Sequence, residues 1–526
     1  MNSMLHFKKY KTFAALSFLL IISGCILLSC NKSFLDRQPI SRYTTDNYPF
    51  PSGGGVYDQY IFAAYSSLRH YGVTSYAFVA ATSIRSDDAD KGSSFADGYP
   101  YLSGVDNFPV PPFSSMVNDL WNAYYGDLIY NCNLVLQKVA QDSSGTPESV
   151  KASAMAEARF LRGYAYFTLE RLFGNIPIID TVLDIKNSVV PQSNPAKVYA
   201  FIEQDLQYAA AHLPSRSGWD PKFIGRVTSG AAWGMLAKVY LYQKKWQQAM
   251  DAAATVINSG QYNLSTPYAD IWKNSGENCS ESVFEIQCYA DANHPSGDGV
   301  DNTGYGCQYA SIQGVRGIAE GPQHDLGWGF NNPSHYLHLA YEPGDPRLNS
   351  TLLFCPTKTP TIFGETFGRP EPNDSIYNMK VYLGNDPSMR QSVGNTQAWW
   401  ENVRILRYAD VVLMYAEAAN ELGKTNEALD KLEWVRARAR AGNNAVLPRV
   451  TTTKKADLRL AIQHERRIEL AMEQERFFDI VRWGIAADVM HAAKKLNYTA
   501  GRDEWLPIPQ AQIDLSQGVL HQNPGY

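Results

Sequence analysis

The chain has 526 residues and a formal net charge of -5, with 45% hydrophobic and 19% charged residues. That length suffices for a large core and, on size alone, for more than one domain. The mild acidity, with Lys and Arg dispersed, excludes the basic footprint expected of a nucleic-acid or anionic-surface binder.

At the amino terminus, Lys8, Lys9 and Lys11 introduce nineteen residues without a charge, Thr12 to Cys30, ending in Leu27-Leu28-Ser29-Cys30. A basic region, an apolar run and small residues before a cut are the layout of a secretory signal. A cysteine just after the cut marks a bacterial lipoprotein, so residues 1–29 read as the leader and Cys30 as the lipidated first residue. Each buried methylene contributes roughly 0.8 kcal/mol, so two or three acyl chains anchor firmly. A plain transmembrane anchor is the competing reading, because the run is barely long enough to span. Ile22-Ser23-Gly24-Cys25 offers a second lipobox. Cys30 is preferred because a cut before Cys25 leaves Ile26-Leu27-Leu28 unburied in the tether.

Residues 30–55 carry Pro39, Pro49, Pro51 and Gly53-Gly54-Gly55, a tether and lead-in loop. Helical spacing begins near Tyr57 with Tyr60, Ala63, Ala64 and Leu68. A polar, Gly-rich stretch from Ser86 to Phe113 interrupts it. Trp121, Tyr124, Tyr125, Leu128, Asn131 and Val135 then line one helical face, and Ala158, Leu161, Ala165, Leu169 and Leu172 another. This last helix stops at Phe173-Gly174-Asn175-Ile176-Pro177, a Gly end followed by a Pro block. Helix pairs follow: Val198 to Leu213 before Ser229 to Ser259, and Arg407 to Leu422 before Asn426 to Arg440. Ala237 to Ile257 and Ala416 to Arg436 look like tetratricopeptide units, which bury their faces only by stacking. Between Ser275 and Trp400 the chain is dense in Gly, Asn, Pro, Tyr and Trp, as functional loops are. Within it, Glu281-Ser282-Val283-Phe284-Glu285-Ile286 alternates as a strand does. Trp121, Trp233, Trp246, Trp434 and Trp483 sit in helical patterns and are assigned to the core.

Beyond the lipid site remain Cys132, Cys279, Cys288, Cys307 and Cys355, an odd number that indicates no disulfide scaffold. Cys279 and Cys288 are the pair whose spacing suits a bridge across a hairpin, and no zinc spacing is present. From Glu465 to Arg482 a charged helix is expected, with Glu473 reaching Arg476, Asp479 reaching Arg482 and Glu469 reaching Arg466 on one face. Carboxylates neutralised in this way are poor general acids. Asp87-Asp88-Ala89-Asp90 lacks the EF-hand spacing and reads as a turn. His324, His335 and His338 come without a zinc motif. No metal or cofactor is expected.

Five segments, in order, resemble the SusD/RagB family, the surface lipoproteins of Bacteroidetes glycan-uptake systems. They are Cys30 with Phe34-Leu35-Asp36 and Pro39, Glu157 to Ile178, Arg407 to Gly423, Glu465 to Gly484, and Leu506 to Pro509 with Gln522 to Tyr526. The resemblance implies a mostly α fold in which tetratricopeptide-like pairs support a large loop-rich face with minor β structure. It implies one domain over 56–526, with an amino-terminal region of about 56–260 and a carboxy-terminal region of about 275–526. It also implies a non-catalytic protein on the outer membrane that caps a SusC-like TonB-dependent transporter and delivers oligosaccharide to it. RagB-type relatives serve peptide uptake, which is the alternative ligand. A glycoside hydrolase, needing two carboxylates in a cleft, has no signature here.

Tyr is the commonest aromatic, with 32 Tyr against 22 Phe and 11 Trp, and is the ring used where one edge stays wet. Sugars present apolar C–H faces and hydroxyl edges, so a binder stacks rings and adds polar side chains around them. Two loop groups offer this chemistry: Tyr71, Tyr76, Tyr99 and Tyr101; and Tyr305, Tyr309, Arg316, Gln323, Trp328, Phe330, Asn331 and Tyr336. In the second group Gly304, Gly306, Gly327 and Gly329 let rings stand clear of the backbone, and Trp328 and Tyr305 are its leading candidates.

Overall fold

The apolar periodicities become a succession of long helices in the computed structural model. It describes residues 55–94, 96–184, 189–290, 306–316, 327–355, 361–362, 365–366, 376–383, 386–393 and 399–526. The leader, Cys25, Cys30, Tyr305, Gln323 and His324 lie outside the described residues. Helices α1 (Asp58–Ser67), α2 (Ser115–Asn122), α3 (Tyr130–Ala140) and α4 (Glu148–Phe173) come first. They are followed by α5 (Pro195–His212), α6 (Ser229–Tyr242) and α7 (Trp246–Asn258). The carboxy-terminal set is α8 (Tyr408–Glu421), α9 (Thr425–Arg440), α10 (Lys455–Glu469) and α11 (Arg476–Arg482).

Local chemistry sets several boundaries. Asn194 caps α5 by accepting the Lys197 N–H, with Pro195 in the first turn. Thr228 caps α6 through the Ala231 N–H. The α4 helix ends at Gly174, as the Gly–Pro sequence predicts, with a φ of 71° that glycine adopts without a Cβ clash.

Successive helices from α3 to α9 pack each on the next, and α7 packs on α8 across the long intervening segment. Small residues permit the close crossings. Gly163 of α4 faces Leu206 of α5, and a Cβ on Gly234 of α6 would stand 2.8 Å from Leu406. The result is a helical scaffold around one extended apolar core that runs from Tyr57 to Leu520. The residues from Tyr57 to Tyr526 form one compact unit.

Strands among the described residues are short and pair two by two. β1 (Ala89–Gly92) lies antiparallel to β3 (Phe330–Pro333), and β2 (Ser282–Ile286) to β4 (Val403–Arg407). The strand expected over Glu281–Ile286 is thus present, and the described parts of 275–400 hold only short elements.

Several expectations change. The face from Trp121 to Val135 is one continuous run, but Ala123–Ile129 between α2 and α3 is wound as a π-helix. Glu465 to Arg482 is not one helix: α10 ends at Glu469, and Met472 and Gln474 take φ of 63° and 64° before α11 begins. Its ion pairs are correspondingly long-range. Asp479 does pair with Arg482 at 2.8 Å. Glu473, however, binds Lys380 at 2.6 Å and Arg407 at 2.7 Å, and Glu469 binds Arg347 and Arg407, each at 3.0 Å, and Arg438. Arg466 turns to Asp410 at 2.7 Å and Asp479 at 3.1 Å.

Arg476 instead reaches back across the fold to Asp87 at 2.8 Å, and Arg467 reaches Asp88 at 2.6 Å. This engages Asp87 and Asp88 as an anchor, while Asp90 lies exposed in β1, and no metal-competent acidic, His or Cys cluster occurs among the described residues. Cys279 and Cys288 do not form the bridge that their spacing suits; both are free thiols. Of the tryptophans assigned to the core, Trp121 is buried, whereas Trp434 is 37% exposed under the Lys431 ammonium. Trp246 and Trp483 line an open cavity of about 340 Å³. There the Trp483 indole N–H donates to Glu417, which is clamped by Arg482 at 2.5 and 2.7 Å.

Candidate saccharide-binding cleft

Pairing of β1 with β3 (Gly92 opposite Phe330, Asp90 opposite Asn332) joins the two aromatic loop groups, which are about 240 residues apart in sequence. Two glycines shape the junction. Gly327 lies so close to the Ser311–Gly314 backbone that a Cβ would be 2.4 Å from Gly314 Cα, and the Trp328 N–H donates to Ser311 O at 2.7 Å. This fixes the backbone from which the Trp328 ring rises. Gly98, at φ 71°, brings the opposite wall within 2.5 Å (measured from an ideal Cβ) of the Tyr76 hydroxyl. A side chain there would be both strained and in collision.

Tyr76 is the centre of the ring cluster. Its ring stacks on Tyr101 with centroids 5.1 Å apart and planes within 1°. Phe330 packs at 5.0 Å, Tyr71 at 5.8 Å, and Trp328 stands edge-on at 6.1 Å and 86°. Offset and edge-on contacts of this kind contribute beyond area burial and hold the rings in place. In front of the cluster opens a cleft of about 470 Å³ lined by Tyr76, Asp97, Gly98, Arg316, Gly327, Trp328 and Phe330. Trp328 is half-buried and Phe330 buried.

The polar rim is preorganised. Arg316 donates to Asp97 and, at 2.5 Å, to Ser93 Oγ. The Lys91 ammonium donates to the carbonyls of Ser94 at 2.8 Å and Asp97 at 3.0 Å. Partial burial would raise the Asp97 carboxyl, but hydrogen bonds from Ser94 and Ser93 and the Arg316 charge hold it well below the ordinary range. Asp97 is therefore an ionised carboxylate already matched by a cation. Burial pushes the Tyr76 and Tyr71 hydroxyls well above the usual phenol range, so both stay neutral. The Tyr76 hydroxyl is buried and has no hydrogen-bond partner among the described residues.

Of the predicted residues, Tyr71, Tyr76, Tyr101, Arg316, Trp328 and Phe330 converge on this cluster. Tyr99 follows Gly98 directly and is 76% exposed. Tyr336 lies on the short helix His335–Ala340, at the surface. Tyr309 is buried, its hydroxyl donating to Gln474 Oε1 at 2.8 Å. Asn331 is also buried, and its amide donates to Gln313 Oε1 at 2.7 Å. Asp97, Gly98, Ser93 and Lys91 complete the rim and were not singled out from the sequence. The one signal for them was Asp97-Gly98 beside Tyr99 in the polar stretch from Ser86 to Phe113.

The family model described as "SusD family" matches residues 280–526, and the one described as "Starch-binding associating with outer membrane" matches 74–241. A solved laminarin-binding SusD-like protein is 30% identical and superposes with a TM-score of 0.73 over 89% of this chain and 99% of its own. Surface glycan-binding protein A from Bacteroides fluxus gives 0.75 at 25% identity, covering 90% of this chain and 100% of that one. The SusD-like protein P2 of Formosa agariphila is 28% identical over 99% of this chain and 100% of its own length. With the helical scaffold, the loop-borne ring cluster and these matches together, the chain belongs to the SusD family.

Proposed function

We propose that this protein is a non-catalytic, surface-exposed lipoprotein of the outer membrane that binds a neutral oligosaccharide and passes it to a SusC-like TonB-dependent transporter. The observation that carries the reading is the Tyr76–Tyr101–Phe330–Trp328 cluster at a cleft where, among the described residues, the only lining carboxylate and guanidinium, Asp97 and Arg316, neutralise each other. Ring faces accept the C–H faces of a sugar, while the Arg316, Asp97 and Tyr76 polar atoms meet its hydroxyls. Hydrolysis of a glycosidic bond takes two carboxylates of separated pKa. The described lining supplies one, ionised and paired, which supports a binding role.

One solved relative, 30% identical, is a laminarin-binding SusD-like protein, so a β-glucan is the first saccharide to test. Solved relatives are described as laminarin-binding and as bound to laminarihexaose, and the described lining carboxylate and guanidinium are paired with each other rather than left for peptide termini, so saccharide is favoured over peptide. Lipidation at Cys30 and outward orientation follow from the lipobox and the family; Cys30 lies outside the described residues. Isothermal titration of the lipid-free mature protein against laminari-oligosaccharides, other glycans and a peptide panel tests the reading. Saccharide binding with no peptide heat is expected, and the reverse overturns it.

A further inference from the structure

The helical scaffold brings two tryptophans to a cavity that shares no lining residue with the cleft. On α8, Glu417 and Glu421 stand one turn apart on the same face, and on α10 Arg459 and Gln463 do the same. α8 packs on both α7 and α10, which sets these two faces beside Trp246, the first residue of α7, and Trp483, just past the end of α11. The open cavity of about 340 Å³ between them falls within the span of about 300–1,000 Å³ typical of small-molecule sites. Its floor is fixed. Both Glu417 oxygens accept from Arg482, and the Trp483 indole N–H donates to Glu417 Oε1 at 3.0 Å, so the indole is tethered and its orientation set. Glu421 accepts from Arg459 Nε at 2.6 Å and Nη2 at 2.8 Å. Each lining carboxylate among the described residues is thus matched by a guanidinium. Trp246 and Trp483 are both half-buried. The half-buried Gln463 amide, by contrast, hydrogen-bonds to none of the described residues. Lys244, exposed at φ 58° in the turn before Trp246, adds a second donor at the rim.

We propose that this cavity is a second saccharide site, which takes a neutral hexose oligosaccharide on Trp246 and Trp483. Ring surface held in place suits the apolar C–H faces of a sugar, and an unengaged amide suits its hydroxyl edges. Paired carboxylates and guanidiniums leave little attraction for a charged ligand, and the cavity is too small for a folded partner to enter. Gln463 is the specificity-determining polar group, because an amide both donates to and accepts from a hydroxyl. Lys244 meets a further hydroxyl at the mouth. The site rests on the same binding role as the cleft, and the two are distinguishable because each carries its own tryptophan.

The test labels the lipid-free mature chain with fluorotryptophan and assigns its fluorine resonances from Trp246→Phe, Trp483→Phe and Trp328→Phe. The labelled protein is then titrated with laminarihexaose and with maltohexaose. At least one of the two sugars should move the Trp246 and Trp483 resonances together, with one midpoint. Gln463→Ala, which removes no hydrogen bond from the fold, should raise that midpoint about two- to tenfold, as loss of one neutral hydrogen bond does. The Trp328 response of that variant should match wild type. Trp246→Ala, read through Trp483, should raise the midpoint about fivefold or more, by analogy with base stacking. Trp246 and Trp483 resonances that neither sugar moves, or a midpoint that Gln463→Ala leaves unchanged, overturn the second site. A response at Trp328 alone refutes this site and leaves the cleft standing, whereas a response at Trp246 and Trp483 alone does the reverse.

Discussion

Glu469 is completely buried at the centre of a charge cluster, and replacing it with Gln tests whether that cluster is desolvated. Its carboxylate accepts from Arg407 and Arg347, each at 3.0 Å, and from Arg438. With it, five cations (Arg347, Arg407, Arg436, Arg438 and Lys380) face five acids (Asp345, Glu281, Glu465, Glu473 and Glu469 itself), all buried except the half-buried Arg438 and Glu473. Glu469→Gln keeps the shape, leaves one uncompensated positive charge and turns an amide N–H₂ toward a guanidinium. Removing one member of a buried ionic network costs about 3–5 kcal/mol, a large part of the roughly 5–15 kcal/mol that holds a fold together. Urea unfolding followed by tryptophan fluorescence should show that loss with an unchanged slope. Burial alone would raise the Glu469 carboxyl, but Arg438, Arg407 and Arg347 hold it far below its ordinary 4.5. Its stabilisation is therefore complete above pH 4.5 and is lost as the pH falls below that value. Wild type should thus lose stability in acid more steeply than the variant. A cost under about 1 kcal/mol, or identical acid slopes, would refute the argument that these charges are cut off from water.

Further outcomes follow from single side chains. Burial pushes Glu170 up to about 7 against its Tyr199 hydrogen bond and Arg171, so it stabilises the fold below pH 4.5 and ceases to as the pH passes 7; Glu170→Gln should be more stable than wild type at pH 8 by up to about 3 kcal/mol. Gly98→Ala, placed at φ 71° against the Tyr76 hydroxyl, should weaken saccharide binding at least tenfold while the helical scaffold stays folded, as read by titration and circular dichroism. Cys30→Ala should lose labelled palmitate and release the protein from the membrane, and label retained in that variant would point to Cys25.

The helical scaffold was legible because one face of each helix must be buried, and that requirement writes a 3.6-residue period into 158–172 or 408–421. The π-helical turn at Ala123–Ile129 left no mark, since one extra residue in a turn barely disturbs the apolar spacing. The break between α10 and α11 carries neither Gly nor Pro; Met472 and Gln474 are held at positive φ by surroundings that local sequence does not encode. The i,i+3 ion pairs failed for the same reason, except at Asp479–Arg482. Arginines on α10 and α11 reach partners as remote as Asp87 because burial favours the best-desolvated pairing over the nearest one. At the cleft, ring-rich loops identified both walls, but only the β1–β3 pairing, a contact between distant segments, made them one site. Asp97 was missed because an acid beside a glycine in a polar loop looks like any turn.

Whether saccharide stacks on this ring cluster is tested most directly by titration of Trp328→Ala with a laminari-oligosaccharide beside its thermal melt. Trp328 is half-buried and edge-on to Tyr76 at the cleft, so its removal should cost little stability. By analogy with base stacking on aromatic side chains, losing one ring costs about 1–3 kcal/mol, up to about a hundredfold in affinity. Affinity lower by at least tenfold with a melting temperature near that of wild type is the predicted result. Unchanged affinity in a folded variant, or early unfolding that marks Trp328 as a core residue, would contradict it.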